Sequence, residues 1–379
     1  DADAIEKALY GEYDNTYSYY LQLVNNSATG GITGYTTKDH GFSVRCIEDD
    51  PRIVTNTDDN GMGSLRNALE YANSTVAVKE TITFNIPGEG PFTIKLSAPL
   101  PPITDPIVID GYTQPGASAA NSILLIELDG TGAGADQLSN GLTISADNCI
   151  VKGLVINQFS QNGILINSAE GNTIVGNYIG TDVTGKLDLG NSINGISING
   201  GASNIIGGET RSDRNVISGN YNGISIRQSN GNSVIGNYIG VDASGNLPLG
   251  NLFISAQGST HGTGIRIYQE SSNNIIGGFK PGEGNVISDS DVGVQVDGMG
   301  PNIGQPTNSN KIKGNFIGTD CIGVEPIGNR SCGVLISNGT FNNQLGGYTK
   351  EEGNIIANSP KYGVWVFGQK FDTYDTYPL

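Results

Sequence analysis

The residues with most chemistry to offer sit at matched places in a repeated strand. "GISIR" (223–227), "GIRIY" (264–268) and "GVQVD" (293–297) end in Arg227, Tyr268 and Asp297, with Arg266 two places before Tyr268. Where the Ile and Val of a strand point inward, the alternate positions point outward. Arg227, Arg266, Tyr268 and Asp297 are therefore expected on one face in neighbouring rungs. Guanidinium groups make paired hydrogen bonds to carboxylates and hydroxyls, and a tyrosine ring offers a flat stacking surface. A hydroxyl-rich or acidic glycan suits that set. The competing reading is a mixed polar surface whose ion pairs contribute little.

Carboxylates are the second candidates. Asp182, Asp242 and Asp320 end the repeated strings "NYIGTD", "NYIGVD" and "NFIGTD", and each heads a loop closing on "LGN" or "IGN". They lie two repeat units apart, or ~10 Å at ~4.8 Å per rung. A single Ca²⁺ takes its ligands at ~2.3–2.6 Å, so the three cannot share an ion. No D-x-D-x-D-G loop is present either. Each Asp is expected to cap its own loop by accepting backbone N–H groups, with a separate Ca²⁺ in each loop the weaker alternative. No metal or cofactor is assigned.

No catalytic residue is assigned. Paired carboxylates on adjacent rungs, which glycoside hydrolysis needs, are not found. Of the two histidines, His40 and His261, the latter lies in the insertion "STHGTG" and is expected to be solvated. Asp289 and Asp291 fall in a turn. Cys321 and Cys332 bracket one long loop, which suggests a local disulfide and an oxidising compartment. Cys149 reads as a free or buried thiol, and the state of Cys46 is open.

Three short segments in fixed order must position these groups. One is "NTIVG" (172–176), with copies at 204, 232, 274, 310 and 343. A second begins at Asn177, Asn215, Asn237, Asn285, Asn315 and Asn354. The third is "G-I-x-I", seen as "GILI" (163–166), "GISI" (195–198 and 223–226) and "GVWV" (363–366). All alternate apolar and polar residues between Gly or Asn, a strand rhythm rather than a helical one. Repeating units of three strands read as coils of a parallel β-helix. The spacing between the two Asn series runs 5, 11, 5, 11, 5, 11, so two kinds of coil alternate. Stacked Asn at corners can bond to their own turn and to the next coil. Ile164, Ile166, Ile196, Ile198, Ile224, Ile226, Ile265 and Ile267 are expected to face the interior, within about eleven coils.

The composition agrees. Glycine numbers 56 of 379 residues and charged residues make up 15%, which favours an all-β fold rich in turns. The formal charge of −17 argues against nucleic acid and anionic membranes as partners. No apolar run reaches the ~20 residues of a transmembrane helix. The chain starts at Asp1 rather than Met, as a mature or excised product would.

Residues 140–368 resemble the right-handed parallel β-helix repeat proteins, which include pectate-lyase-like enzymes and many bacterial surface proteins. The segment "VTNTDDNGMGSLRNALEYANSTVAVKETITFNIPG" (54–88) resembles the module that opens such repeats in large secreted bacterial proteins. Within it, Ser64 can N-cap a helix, with Leu65, Ala68, Leu69 and Ala72 on one face covering the open end of the solenoid. "TITFNI", "FTIKL", "PIVIDG" and "LLIELDG" read as the first irregular coils. The first fifty residues, with Tyr10, Tyr13, Tyr17, Tyr19, Tyr20 and "DHGFSVRCIED" (39–49), resemble the tail of a Fibrobacter-succinogenes-type major paralogous domain, a C-type-lectin-like module. Its tryptophan-containing start is absent, since "ALYGEY" stands there.

The fold expected is all-β: a right-handed single-stranded parallel β-helix with an N-terminal helical cap and a β-rich accessory segment. The boundaries are 1–50 accessory segment, 51–80 linker and cap, 81–368 β-helix and 369–379 tail. The function expected is a non-catalytic secreted or cell-surface bacterial stalk, adhesin or filament subunit with glycan-binding capacity. A polysaccharide lyase or glycoside hydrolase on the same scaffold is the alternative, since the fold does not choose between them. At the C-terminal end, Leu335, Trp365 and Phe367 face outward next to a bare strand edge. A neighbouring molecule or a further domain of a longer chain is expected there.

Overall fold

The computed structural model describes residues 50–75, 78–134, 139–255, 258–298 and 307–368, with the backbone alone of 17–22 and 31–37. The chain divides into two units at Asp49. In the first, Tyr17–Gln22 pairs antiparallel with Gly31–Thr37. Tyr10, Tyr13, His40, Cys46, the 39–49 motif and the tail 369–379 lie outside the described residues.

The second unit is built on three parallel sheets of ten, nine and eight strands. One coil runs Thr173–Val175, Tyr178–Ile179 and Asn194–Asn199, and the next runs Ile205–Gly207, Val216–Ile217 and Asn222–Arg227. Each strand pairs in parallel with its counterpart one coil on. A chain that returns this way to the adjoining rung of the same sheet is a right-handed parallel β-helix. The eight isoleucines named above are fully buried. At about 1.5–3 kcal/mol for each buried side chain, their two columns are a main support of the third sheet.

Among the described residues the rungs number fewer than the eleven expected, and the difference lies in the opening coils. Glu80–Phe84 and Ile107–Asp110 pair with each other in the first sheet, whereas Phe92–Lys95 and Ile126–Asp129 pair in the second. The four segments therefore make two coils rather than four, because alternate ones belong to different sheets. Helix α1 (Leu65–Ser74) covers this end. Ser64 Oγ accepts from Asn67 N at 3.2 Å, and Leu65, Ala68, Leu69 and Ala72 are buried in the same core as the strands.

Both expected Asn ladders are present and fully buried along most of their length. Asn204 Nδ2 donates to Asn232 Oδ1 at 2.9 Å, and Asn237 Nδ2 to Asn285 Oδ1 at 3.0 Å. A third ladder was not anticipated: Asn191 Nδ2 reaches Asn220 Oδ1 at 2.9 Å, and Asn220 Nδ2 reaches Asn251 Oδ1 at 3.2 Å. Asn191 and Asn251 close the "LGN" loops, and Asn220, which ends "ISGN" in the coil between, links them.

Each residue type of the repeated hexapeptide has its own place in the coil. Asn177 turns a corner in the second ladder and Ile179 enters the core. Tyr178 points outward into a second apolar layer with Val216, Tyr238 and Val286. Gly180 has φ 89°, and a Cβ there would lie 2.2 Å from the Ser218 carbonyl oxygen. Asp182 Oδ1 accepts from Lys186 N and Leu187 N, both at 2.9 Å, which closes the loop as expected. Asp242 and Asp320 do the same for Asn246 and Leu247, and for Val324 and Glu325. The loops stack across the intervening coil: Ala243 N donates to Gly185 O, and Cys321 N to Gly245 O, both at 2.9 Å.

Candidate functional site

The outward columns of the third sheet have the expected register. Leu165, Ser197, Ser225, Arg266, Gln295, Leu335 and Trp365 pair in succession, as do Asn167, Asn199, Arg227, Tyr268, Asp297, Ser337 and Phe367. Two strand features set this face: the buried Ile and Val columns lock the pleat, and a one-residue slip would exchange them with the polar columns.

Arg266, Tyr268 and Asp297 come together. The guanidinium of Arg266 lies 4.4 Å from the Tyr268 ring centroid, and its Nη2 is 3.4 Å from Asp297 Oδ2. The Asp297 carboxylate is buried, and it also accepts from Asn338 Nδ2 at 2.7 Å and from Gln295 Nε2 and Ser337 Oγ, each at 3.4 Å. Arg227 is in register beside Tyr268 but turns elsewhere, to Gln269 Oε1 and to Asn199 Oδ1 at 3.4 Å.

A cleft of about 280 Å³ opens beside Arg266, lined by Tyr221, Asn222, His261, Asp291 and Gln295 among others. Two of these, His261 and Asp291, precede third-sheet strands rather than lying within them. A short antiparallel hairpin, Phe253–Ile254 with Thr260–His261, carries His261 to the rim, where its side chain is exposed. Asp291 N donates to Gly262 O at 3.1 Å, which brings an acidic residue next to the histidine. The pattern of the insertion alone offered His261 no acidic partner. The pairing of the neighbouring coil places Asp291 in the same cleft. Asp289, in the same turn, is paired with Arg330 at 3.2 Å, yet burial outweighs that cation and holds its carboxyl above the usual range.

The expected disulfide is not formed. Cys149, Cys321 and Cys332 are free. The two ends of the loop belong to different layers. Cys321 sits on the outer stack with its Sγ 3.2 Å from Asn246 Oδ1, whereas Cys332 is buried at the start of the third-sheet strand Cys332–Ser337. Among the described residues no group of three or more His, Cys, Asp or Glu could hold a metal ion. No helix among them is long and apolar enough to cross a membrane.

Leu335, Trp365 and Phe367 are where the register placed them. Every residue of the last strand, Tyr362–Phe367, is exposed, including the inward-facing Val366 at 71%. Trp365 is flanked by Tyr362 and Phe367, with ring centroids 5.2 and 5.9 Å away.

The fold and this face define a right-handed parallel β-helix with a polar third sheet. No protein-family model matches the chain, and the lectin-like resemblance of the N-terminal segment finds no support among known proteins. A 3-dehydroshikimate dehydratase of Acinetobacter baylyi is 26% identical over 223 residues, which cover 58% of this chain and 39% of that protein. Among solved structures, the periplasmic alginate epimerase AlgG is 14% identical with a TM-score of 0.35, over 76% of this chain and 62% of its own. The pectate lyase Pel9A is 13% identical with a TM-score of 0.34, over 86% and 80%. Tailspike protein 2 of the Escherichia coli O157:H7 bacteriophage CAB120 is 13% identical with a TM-score of 0.30, over 79% and 43%. Superpositions this loose leave the fold resting on the three sheets themselves and say nothing of substrate.

Proposed function

We propose that this protein is a non-catalytic, secreted or cell-surface β-helix stalk that binds a hydroxyl-rich or acidic glycan on its third sheet. The observation that carries the reading is the setting of Arg266, at the wall of the cleft with its guanidinium fixed between a ring face and a carboxylate. A preorganised guanidinium loses little freedom when it grips a carboxylate or a pair of hydroxyls. The buried carboxylate behind it, Asp297, is occupied by donors from four side chains and is poorly placed to shuttle a proton.

Titration calorimetry with acidic and neutral oligosaccharides tests this. Binding that falls at least tenfold in Arg266→Ala, with no unsaturated ultraviolet-absorbing product and no new reducing ends, is the expected result. Turnover of pectin or alginate would replace it with the lyase or hydrolase reading, which the presence of His261 and Asp291 in one cleft favours. The exposed last strand, Tyr362–Phe367, fits the same role, with a neighbouring molecule or a further domain seated against Leu335, Trp365 and Phe367. Light scattering checks the assembly version: a strict monomer at high concentration, unchanged by Trp365→Ser, would remove it.

A further inference from the structure

A second surface stands apart from the third sheet. The corners between the first and second sheets carry a long loop in every other coil: "GGETRSDRN" (207–215), "GGFKPGEGN" (277–285) and "GGYTKEEGN" (346–354). The three loops share one construction. An acidic residue six places after the first Gly folds back onto the loop. Asp213 accepts from Thr210 Oγ1, Glu283 from Lys280 N at 3.0 Å, and Glu352 from Tyr348 N at 2.8 Å and Thr349 N at 3.3 Å. The position after the paired glycines is Glu209 in the first loop, Phe279 in the second and Tyr348 in the third.

Nothing in the fold demands an aromatic there, since Glu209 serves in the sister loop. Both rings point to solvent, Phe279 at 54% and Tyr348 at 99% exposure. Lys313, from the tight corner of the coil between them, ties the two loops together. Its Nζ lies 5.2 Å from the Phe279 ring centroid and 3.1 Å from Glu352 Oε1. The loops are thus braced before any ligand arrives.

Spacing identifies what such a pair would take. Ile275–Ile276, Lys311–Ile312 and Gln344–Leu345 are successive rungs, so equivalent points on the two loops are two rungs, or about 9.6 Å, apart along the solenoid axis. Two pyranose units of an extended β-1,4-linked polysaccharide occupy nearly that length, and every second sugar then presents the same apolar C–H face. Aromatic faces stack on such faces as they do on other flat ligands, without needing charge. We propose that Phe279 and Tyr348 form a binding ridge for a neutral β-1,4-linked polysaccharide lying parallel to the helix axis. This site is independent of the third-sheet face, which would take its ligand through Arg266.

Pull-down on microcrystalline cellulose and on chitin, with affinity electrophoresis in soluble β-1,4-glucan, tests the proposal on the full chain. The intact protein should be retained on at least one matrix. Phe279→Ala and Tyr348→Ala should each weaken retention about tenfold or more, and the double variant should abolish it. Glu209→Tyr, which adds a third ring in register, should tighten it. Arg266→Ala should leave it unchanged, which separates this ridge from the third-sheet site. Unchanged circular dichroism and thermal melting of all variants are expected, since neither ring is part of the core. Passage of the intact protein through every matrix, retention that survives the double variant, or a Glu209→Tyr variant no tighter than the parent would each overturn the proposal.

Discussion

Asn237→Ala tests the claim that the corners, and not only the isoleucine columns, hold the coils in register. Asn237 is fully buried. Its Nδ2 donates to Ile206 O at 2.8 Å, Ile235 O at 3.0 Å and Asn285 Oδ1 at 3.0 Å. Its Oδ1 accepts from Asn215 Nδ2 at 2.9 Å and Asn215 N at 3.4 Å. Asn285 Oδ1 keeps a donor in the variant, because Asn237 N still reaches it, and Asn215 Nδ2 keeps the Ile174 carbonyl. What loses its Asn237 partner is the Asn215 N–H and the carbonyls of Ile206 and Ile235. The Ile206 carbonyl keeps its place in the parallel ladder, so two groups are left unpaired, and at about 1–3 kcal/mol for each, two toward the lower end give about 2–4 kcal/mol. Urea denaturation followed by circular dichroism measures this, with Asn121→Ala, an exposed loop position, as a control expected within about 0.5 kcal/mol of the parent. Solenoids can unfold in parts, so exchange of the Asn215 amide should be followed in parallel and should accelerate. A loss below about 1 kcal/mol at unchanged m-value, with Asn215 still protected, would show that the ladder follows the register rather than enforcing it.

Ile226→Ala, at a fully buried position in the third sheet, should cost about 2–5 kcal/mol in the same assay. A thiol reagent should modify Cys321 in the native protein and reach Cys149 and Cys332 only on unfolding. Burial lifts the Cys332 thiol to about 11, with Asp291 adding to the shift, and mass spectrometry should find no Cys321–Cys332 bridge. Partial burial pushes the Asp182 carboxyl up, but hydrogen bonds from Leu187, Thr184 and Lys186 outweigh it and hold it below the usual range. A depressed folded pKa stabilises above the unfolded value, near 3.9, and loses that contribution as pH falls through the folded one. Asp182→Asn should therefore destabilise at neutral pH by an amount that shrinks below about pH 4. Asp188 has the opposite sign. Burial raises it despite the Gly190 N–H, so Asp188→Asn should be neutral or stabilising at pH 7 and lose that advantage in acid.

Much of the fold is legible in the residues because each structural demand is made many times over. A single Asn at a corner is ambiguous, but six in series with a 5, 11 alternation leave few alternatives. The two outward columns of the third sheet are likewise read correctly, since one apolar register fixes the other. The misreadings occur where repetition fails. The first coils are irregular, and their four apolar segments looked alike although they alternate between two sheets. The third ladder is hard to read because its Asn residues end segments of different kinds, "LGN" at Asn191 and Asn251 but "ISGN" at Asn220. Cys321 and Cys332 are near in sequence, yet one lies on an outer loop and the other in a buried strand. Spacing along a chain does not report layers.

Function in a solenoid is to be sought where one coil departs from the others. A position that repeats unchanged in every coil answers to the coil, as Asn177, Asn215 and Asn237 do. A position that departs from its sisters without being needed for packing answers to something else. His261 stands in an insertion that the other coils lack, and the hairpin holding it walls the cleft beside Arg266. Phe279 and Tyr348 are exposed rings where the sister loop has Glu209. Arg266 interrupts a column that reads Thr143, Leu165, Ser197, Ser225 below it. Each coil serves as a reference for the others, so one chain supplies its own comparison. Substitution toward the sister residue, such as Phe279→Glu or Arg266→Ser, is then the informative experiment. It should leave the fold intact and remove only what the departure added.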